Sequence, residues 1–235
     1  MTTSTESLGQ PISRPQVFLI ALFVTALITA QVTAAKLVEI TLPISLPLTG
    51  DLLLVPAAVF AYALTFLASD CYTELYGKHA AQTVVNVAFL MNLVLLGLLW
   101  LAIAAPPFAG SPVPQEPFAA TLGASTGVVA GSLLAYIVSQ HWDVLVFHRI
   151  RAHTDGRALW LRNIVSTATS QLIDTVLFIS VAFILFQGLP LTEALALILG
   201  QYLVKLALVG LDTPLVYLIV SVVRGNRSFP LVSRS

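Results

Sequence analysis

Residues 161–186 read LRNIVSTATSQLIDTVLFISVAFILF. About 20 mostly apolar residues suffice to cross a bilayer as a helix, and this run is longer than that. After Arg162 it holds one charge, Asp174, near its middle. A carboxylate at that depth costs about 2.5–3.5 kcal/mol on insertion scales, so it has to face a cavity or a partner rather than lipid. Asn163, Thr167, Ser170, Gln171, Asp174 and Phe178 recur at steps of three or four residues, or sit beside one that does. At 100° per residue they gather in a stripe about 80° wide. The run reads as a membrane helix with one polar face.

Five more apolar runs flank it, at 16–37, 51–69 (extending to 76), 80–105, 118–140 and 194–223. Proline, glycine or charge marks each break: Pro43 and Pro47, Gly77-Lys78, Pro106-Pro107 with Pro112, Pro114 and Pro117, Arg149 to Arg162, then Gly188 and Pro190. The composition agrees. Of 235 residues 57% are hydrophobic and 9% charged, against about a quarter charged in a soluble domain. The expected fold class is an all-α integral membrane protein with six transmembrane helices. The first run is too long for the apolar core of a signal peptide. Residues 1–15 and 224–235 are expected as short tails around a single membrane domain, 16–223.

Orientation follows the basic residues. Arg14, Lys78, Arg149, Arg151, Arg157, Arg162, Arg224, Arg227 and Arg234 all fall on one side of a six-span arrangement, and the opposite loops hold no Lys or Arg. Cytoplasmic loops carry such an excess, so both termini are expected to be cytoplasmic. Lys36 and Lys205 remain, and both fall inside predicted spans.

With Asp70, Glu74, Asp174 and Asp212 these two lysines make up the charged set within or beside the spans. In the sixth span Gln201, Lys205 and Asp212 lie within about 40° of each other. Thr25, Thr29, Thr33 and Lys36 share a face of the first span, and Asp70, Thr73, Glu74 and Gly77 a face of the second. Four polar stripes aimed at one cavity is the expected arrangement. The competing reading is structural: Lys205 pairs with Asp174 or Asp212 to tie two helices, and Ser and Thr bond back to their own helix carbonyls. Two small-residue repeats, Ala26-Ala30-Ala34 and Gly123-Gly127-Gly131, allow helices to approach closely, and packing within one bundle is their expected use.

Several functions are excluded. A net charge of zero gives no reason to expect a nucleic-acid partner. Cys71 stands alone, so neither an intrachain disulfide nor a cysteine metal cluster can form. The chain has no Gly-x-x-x-x-Gly-Lys-Ser/Thr loop, no Gly-x-Ser-x-Gly elbow and no His-Glu-x-x-His pair. It is read as a non-enzyme that calls for no cofactor or metal. His141, His148 and His153, with Asp143 and Asp155, are expected in a solvated loop after the fourth span, anchored at the interface by Trp142.

Three separated motifs carry a resemblance. Residues 69–77 read SDCYTELYG, and residues 166–175 read STATSQLIDT with Phe178 following. Lys205 is followed by Asp212-Thr213-Pro214 and Tyr217. Together they resemble the queuosine precursor transporter family, also called the vitamin uptake transporter family, over nearly the whole chain. The resemblance implies a prokaryotic inner-membrane importer of 7-deazaguanine bases, 7-cyano- or 7-aminomethyl-7-deazaguanine, which are precursors of modified tRNA nucleosides. The family's polar motif positions fall here on Asp70, Glu74, Gln171, Asp174, Lys205 and Asp212. With Asn163 and Phe178 they make the expected substrate-binding set. A carboxylate, Asp174 or Glu74, can accept two N–H groups of the base edge. Gln171, Asn163 or Lys205 can donate to its carbonyl. Phe178, Tyr72 or Tyr76 can stack on the ring.

Three modes of action stay open at this point. The first is a self-sufficient secondary transporter that alternates access around the cavity. A carboxylate in a low-dielectric site can also carry a proton, although Lys205 opposes that. The second is the substrate-binding membrane subunit of a multi-subunit ATP-driven importer, which the alanine face of the first span would suit. The third is a membrane enzyme, against which the missing catalytic motifs argue, or a structural assembly factor. A homodimer is compatible with all three.

Overall fold

Pro56 decides how the chain returns after its first helix. Proline has no N–H, and its ring clashes with the carbonyl four residues earlier. The residue before it also avoids the helical region. In the computed structural model, which describes residues 13–46, 50–153 and 159–225, the segment before Pro56 is a strand. Helix α1 (Arg14–Thr33) is capped by Ser13, whose Oγ accepts from the Gln16 N–H at 3.3 Å. It ends at Thr33, which leaves Lys36 beyond the helix and exposed. Strands β1 (Leu37–Leu46) and β2 (Gly50–Pro56) then pair antiparallel, with Leu37 opposite Pro56, Thr41 opposite Leu52, and an irregularity between Thr41 and Leu46. The chain is therefore not purely helical, and the second helix begins at residue 59 rather than 51.

The remaining elements are α2 (Val59–Tyr76), α3 (Lys78–Ala104), α4 (Gln115–Gly123), α5 (Ser125–His153), α6 (Leu159–Ile179) with a π-helical turn (Ser180–Leu185), and α7 (Leu191–Val223). Five segments, 14–33, 78–104, 115–150, 164–185 and 191–223, are long and apolar enough to cross a membrane. The chain is a multi-pass helical membrane protein. α2 falls short of that standard, and Asp70 and Glu74 lie in its second half. The segment expected as a loop after residue 140 is helical as far as His153. Asp155, Arg157, Arg227 and Arg234 lie outside the described residues.

Contacts between helix ends set the topology. Ser13 Oγ lies 2.9 Å from the Tyr76 hydroxyl. Arg224 donates to the Glu74 carbonyl at 2.6 Å and lies 3.3 Å from its carboxylate. The start of α1 and the ends of α2 and α7 thus meet, beside Lys78 at the head of α3. At the opposite end Gln115 donates to the Ile103 carbonyl at 2.6 Å.

Small residues hold the bundle together. Ala30 and Ala34 are buried in one cluster with Ala58 and Ala61, so the alanine repeat forms the seam between α1 and α2. A Cβ placed on Gly131 would lie 3.1 Å from the Phe178 carbonyl, and one on Gly127 would run into Phe186. Gly127 and Gly131 form the seam between α5 and the α6–π-turn segment, whereas Gly123, at the end of α4, has nothing within 4 Å. Gly200 shows the tightest approach: a Cβ there would collide with the Leu54 carbonyl oxygen. β2 therefore lies directly on α7, about one and a half turns before Lys205. Non-helical backbone at membrane depth is tolerated only where protein satisfies and covers it. The two strands satisfy each other along their shared edge, and α7 covers β2.

Gly200→Ala is expected to destabilise the protein by about 1–3 kcal/mol, because the Leu54 carbonyl belongs to backbone that has to shift. Gly97, with nothing within 4 Å, is the control. Thermal unfolding in detergent compares the two variants. An equal midpoint would rule out the close approach of β2 to α7.

Candidate functional site

The site is built around one buried ion pair. Lys205 on α7 donates to Asp174 Oδ2 on α6 at 2.5 Å, with side chains 8% and 26% exposed. Ser139 on α5 lies 3.5 Å from the other carboxylate oxygen, Oδ1. Removing either partner of such a pair leaves an uncompensated charge, so each charge is conditional on the other.

Beside the pair is a cavity of about 370 Å³, within the usual range for small-molecule sites. Its walls come from α1, α2, α3, α5, α6 and α7. Three features matter. The first is aromatic surface: Phe89 and Tyr136 stack at 4.2 Å and 26°, and Phe66, Tyr62 and Phe178 also border the space. The second is a polar rim. The Tyr136 hydroxyl accepts from Gln82 Nε2 at 2.7 Å, and Lys78, Thr73 and Gln140 lie nearby. The third is a closed far side. Gln31 on α1 donates to Ser132 Oγ on α5 at 2.9 Å, and both residues are buried. Phe178 meets Phe183 edge-on at 5.8 Å. The exposed rim residues lie at the end where the described basic residues gather, so the cavity opens there.

The expected site residues divide. Gln171, Asp174, Phe178 and Lys205 line the cavity. Asp70, Glu74 and Asp212 do not. Glu74 faces Arg224 at the bundle end, and Asp212 is buried on α7 with the Asp70 carboxyl of α2 beside it. Asn163 belongs to α6, but its side chain lies outside the described residues. Tyr72 and Tyr76 meet at 4.8 Å with their rings tilted by 43°, and neither lines the cavity.

The four-stripe picture needs correction for helices α1 and α2. Thr29 and Thr33 bond back to the carbonyls of Thr25 and Thr29, and the residues α1 turns to the cavity are Phe23 and Leu27. From α2 the lining residues are Tyr62, Thr65, Phe66, Ser69 and Thr73. α3 and α5 contribute walls that the sequence reading did not assign. Gln82 with Phe89, and Ser132 with Tyr136 and Ser139, follow helical spacing, and that was the available signal. His141 and His153 bond back to the carbonyls of Ile137 and Arg149, and no group of three metal-binding side chains occurs among the described residues.

A helical bundle with apolar membrane-length helices around a polar, aromatic-walled cavity is a membrane protein built to hold a small molecule, the class to which membrane transporters belong. The particular kind follows from comparison with known proteins. Residues 56–219 match the family described as "Putative vitamin uptake transporter". A protein of Bacillus subtilis (strain 168), named "Probable queuosine precursor transporter", is 37% identical over 158 residues, covering 66% of this chain and 67% of that one. No solved structure matches the chain. The chain belongs to the vitamin uptake transporter family, and it is a transporter rather than an enzyme.

Lys205→Met is expected to lower the unfolding midpoint by several degrees, because it strands the Asp174 carboxylate. Adding Asp174→Asn should restore at least half of that loss. Thermal melts of the wild type, the single variant and the double variant test this. A double variant less stable than Lys205→Met would show that the two side chains do not act as a pair.

Proposed function

We propose that this protein imports a 7-deazaguanine precursor of queuosine, 7-cyano- or 7-aminomethyl-7-deazaguanine, across the cell membrane by alternating access. The observation that carries the proposal is the Asp174–Lys205 pair in the wall of an aromatic-lined cavity of about 370 Å³. The name of the Bacillus subtilis relative points to the same cargo.

The chemistry fits the walls. A flat base finds aromatic faces in Phe89, Tyr136, Phe66 and Phe178. Asp174 Oδ1, with only a 3.5 Å contact to Ser139, is free to accept an N–H of the base. Gln171, one turn nearer the mouth, is suited to donate to its carbonyl. Six spans are proposed, with α2 as the shortest and both termini cytoplasmic, and residues 16–223 form a single membrane domain. The cavity mouth sits at the basic end, which is cytoplasmic by charge placement, so the conformation described is inward-facing. Alternating access then requires the Gln31–Ser132 closure to part on the far side.

The reading as a subunit of an ATP-driven importer loses one of its supports. Ala30 and Ala34, on the alanine face of the first span, are buried within the bundle in one cluster with Ala58 and Ala61.

Uptake of labelled 7-cyano- and 7-aminomethyl-7-deazaguanine, in cells that neither make nor otherwise import them, tests the proposal. Wild type is expected to restore uptake and Asp174→Asn to lose it by more than about tenfold. Glu74→Gln should stay within about twofold of wild type, because its partner is Arg224 at the bundle end. Failure of correctly inserted wild type to take up either base would refute the cargo. Uptake by the purified chain in liposomes would exclude an obligate partner ATPase.

A further inference from the structure

Gln201 is a buried side chain whose amide oxygen has no hydrogen-bond partner among the described residues. The residue is 6% exposed and borders the cavity. An unpaired buried acceptor costs the desolvation of that group, on the order of 1–3 kcal/mol, and the large majority of buried polar atoms are satisfied. A binding site is one place where such a group persists, because the ligand supplies the missing donor.

Its neighbours define which donor. Gln201 stands one turn before Lys205 on the same face of α7. Long helical side chains lean back toward the helix N-terminus. The Lys205 ammonium, and the Asp174 carboxylate bound to it, therefore lie over the Gln201 turn. Tyr62 borders the same corner. This corner holds two acceptors, Asp174 Oδ1 and the Gln201 amide oxygen, from different helices. Lys205 compensates the charge of the first, and the second is neutral.

Resting on the cargo proposed above, we infer that Gln201 is a specificity-determining residue that accepts a hydrogen bond from the exocyclic amine of the base, while Asp174 accepts the adjacent ring N–H. A guanine-type edge carries both donors side by side. A hypoxanthine-type edge keeps the ring N–H and lacks the amine. Bound to that edge, Gln201 would stay unpaired, and the site would discriminate against it. The role belongs to recognition of the purine edge, so it applies equally to the cyano and aminomethyl forms.

The test is a competition experiment. Uptake of labelled 7-cyano-7-deazaguanine is measured against unlabelled 7-cyano-7-deazaguanine and against its counterpart lacking the exocyclic amine. Wild type, Gln201→Glu and Gln201→Leu are compared, with membrane insertion checked for each. The same preference is read from ligand-induced thermal stabilisation of purified protein, so a variant that binds without transporting still reports. Wild type is expected to prefer the amine-bearing base by about tenfold. Gln201→Glu, which keeps an acceptor, should retain the preference. Gln201→Leu should reduce it to less than about twofold. A wild type that does not distinguish the two bases, or a Gln201→Leu that keeps the full preference, would overturn the role of Gln201 and leave the cargo standing. Absence of uptake and of stabilisation by both bases in wild type would remove the cargo and this inference together.

Discussion

Lys205 and Asp174 form a buried ion pair that every helix around them has to accommodate. Neither charge is tolerable alone at mid-bundle, and hydrophobic packing would serve stability as well or better. A membrane chain that keeps such a pair places it where a cavity can use it. α6 and α7 must then meet at one depth and one rotation, with Asp174 26% exposed toward the cavity and Lys205 nearly enclosed. Everything packed around them has to leave room for the cavity without letting lipid reach the charges.

Close backbone contacts meet that demand. Gly131 lets α5 approach the Phe178 carbonyl, which brings Ser139 on the same helix within reach of Asp174. Gly200 lets β2 lie on α7 about one and a half turns before Lys205. Leu53 and Val55 of β2 are buried there, and Val55 borders the same small pocket as Lys205. α1 and α2 close the assembly along a seam of alanines. In lipid, small residues are a general route to helix association, because apolar side chains gain little by leaving one hydrocarbon for another. Gly127, Gly131 and the alanine repeat therefore serve internal seams, and the exposed apolar faces of α3 are left for the bilayer.

Much of this was legible in the amino-acid order, and the parts that were not share a cause. The 161–186 stripe gave Gln171, Asp174 and Phe178 to the cavity, as expected from phase. The α1 threonines obeyed the same periodicity and yet turned away, bonding to their own helix. Asp70 and Glu74 share a helical face with Thr73 in sequence terms. Even so, Thr73 lines the cavity, while Glu74 goes to Arg224 and Asp70 to Asp212. A stripe 100° wide can straddle two environments, and its edges separate once the helix is seated.

The amino-acid order alone set the membrane class, the position of most spans and the charges that needed a partner or a cavity, while leaving Lys205 open between Asp174 and Asp212. Those are consequences of composition, of the cost of burying charge and of periods local to one helix. The tertiary structure alone decided the rotation of α1 and α2 about their axes, the walls supplied by α3 and α5, and the hairpin pressed on Gly200. Helical phase relates a residue to its own axis and says nothing about how that axis is turned toward its neighbours. That rotation is set by contacts between residues far apart in the chain, such as Leu54 with Gly200 and Ser139 with Asp174.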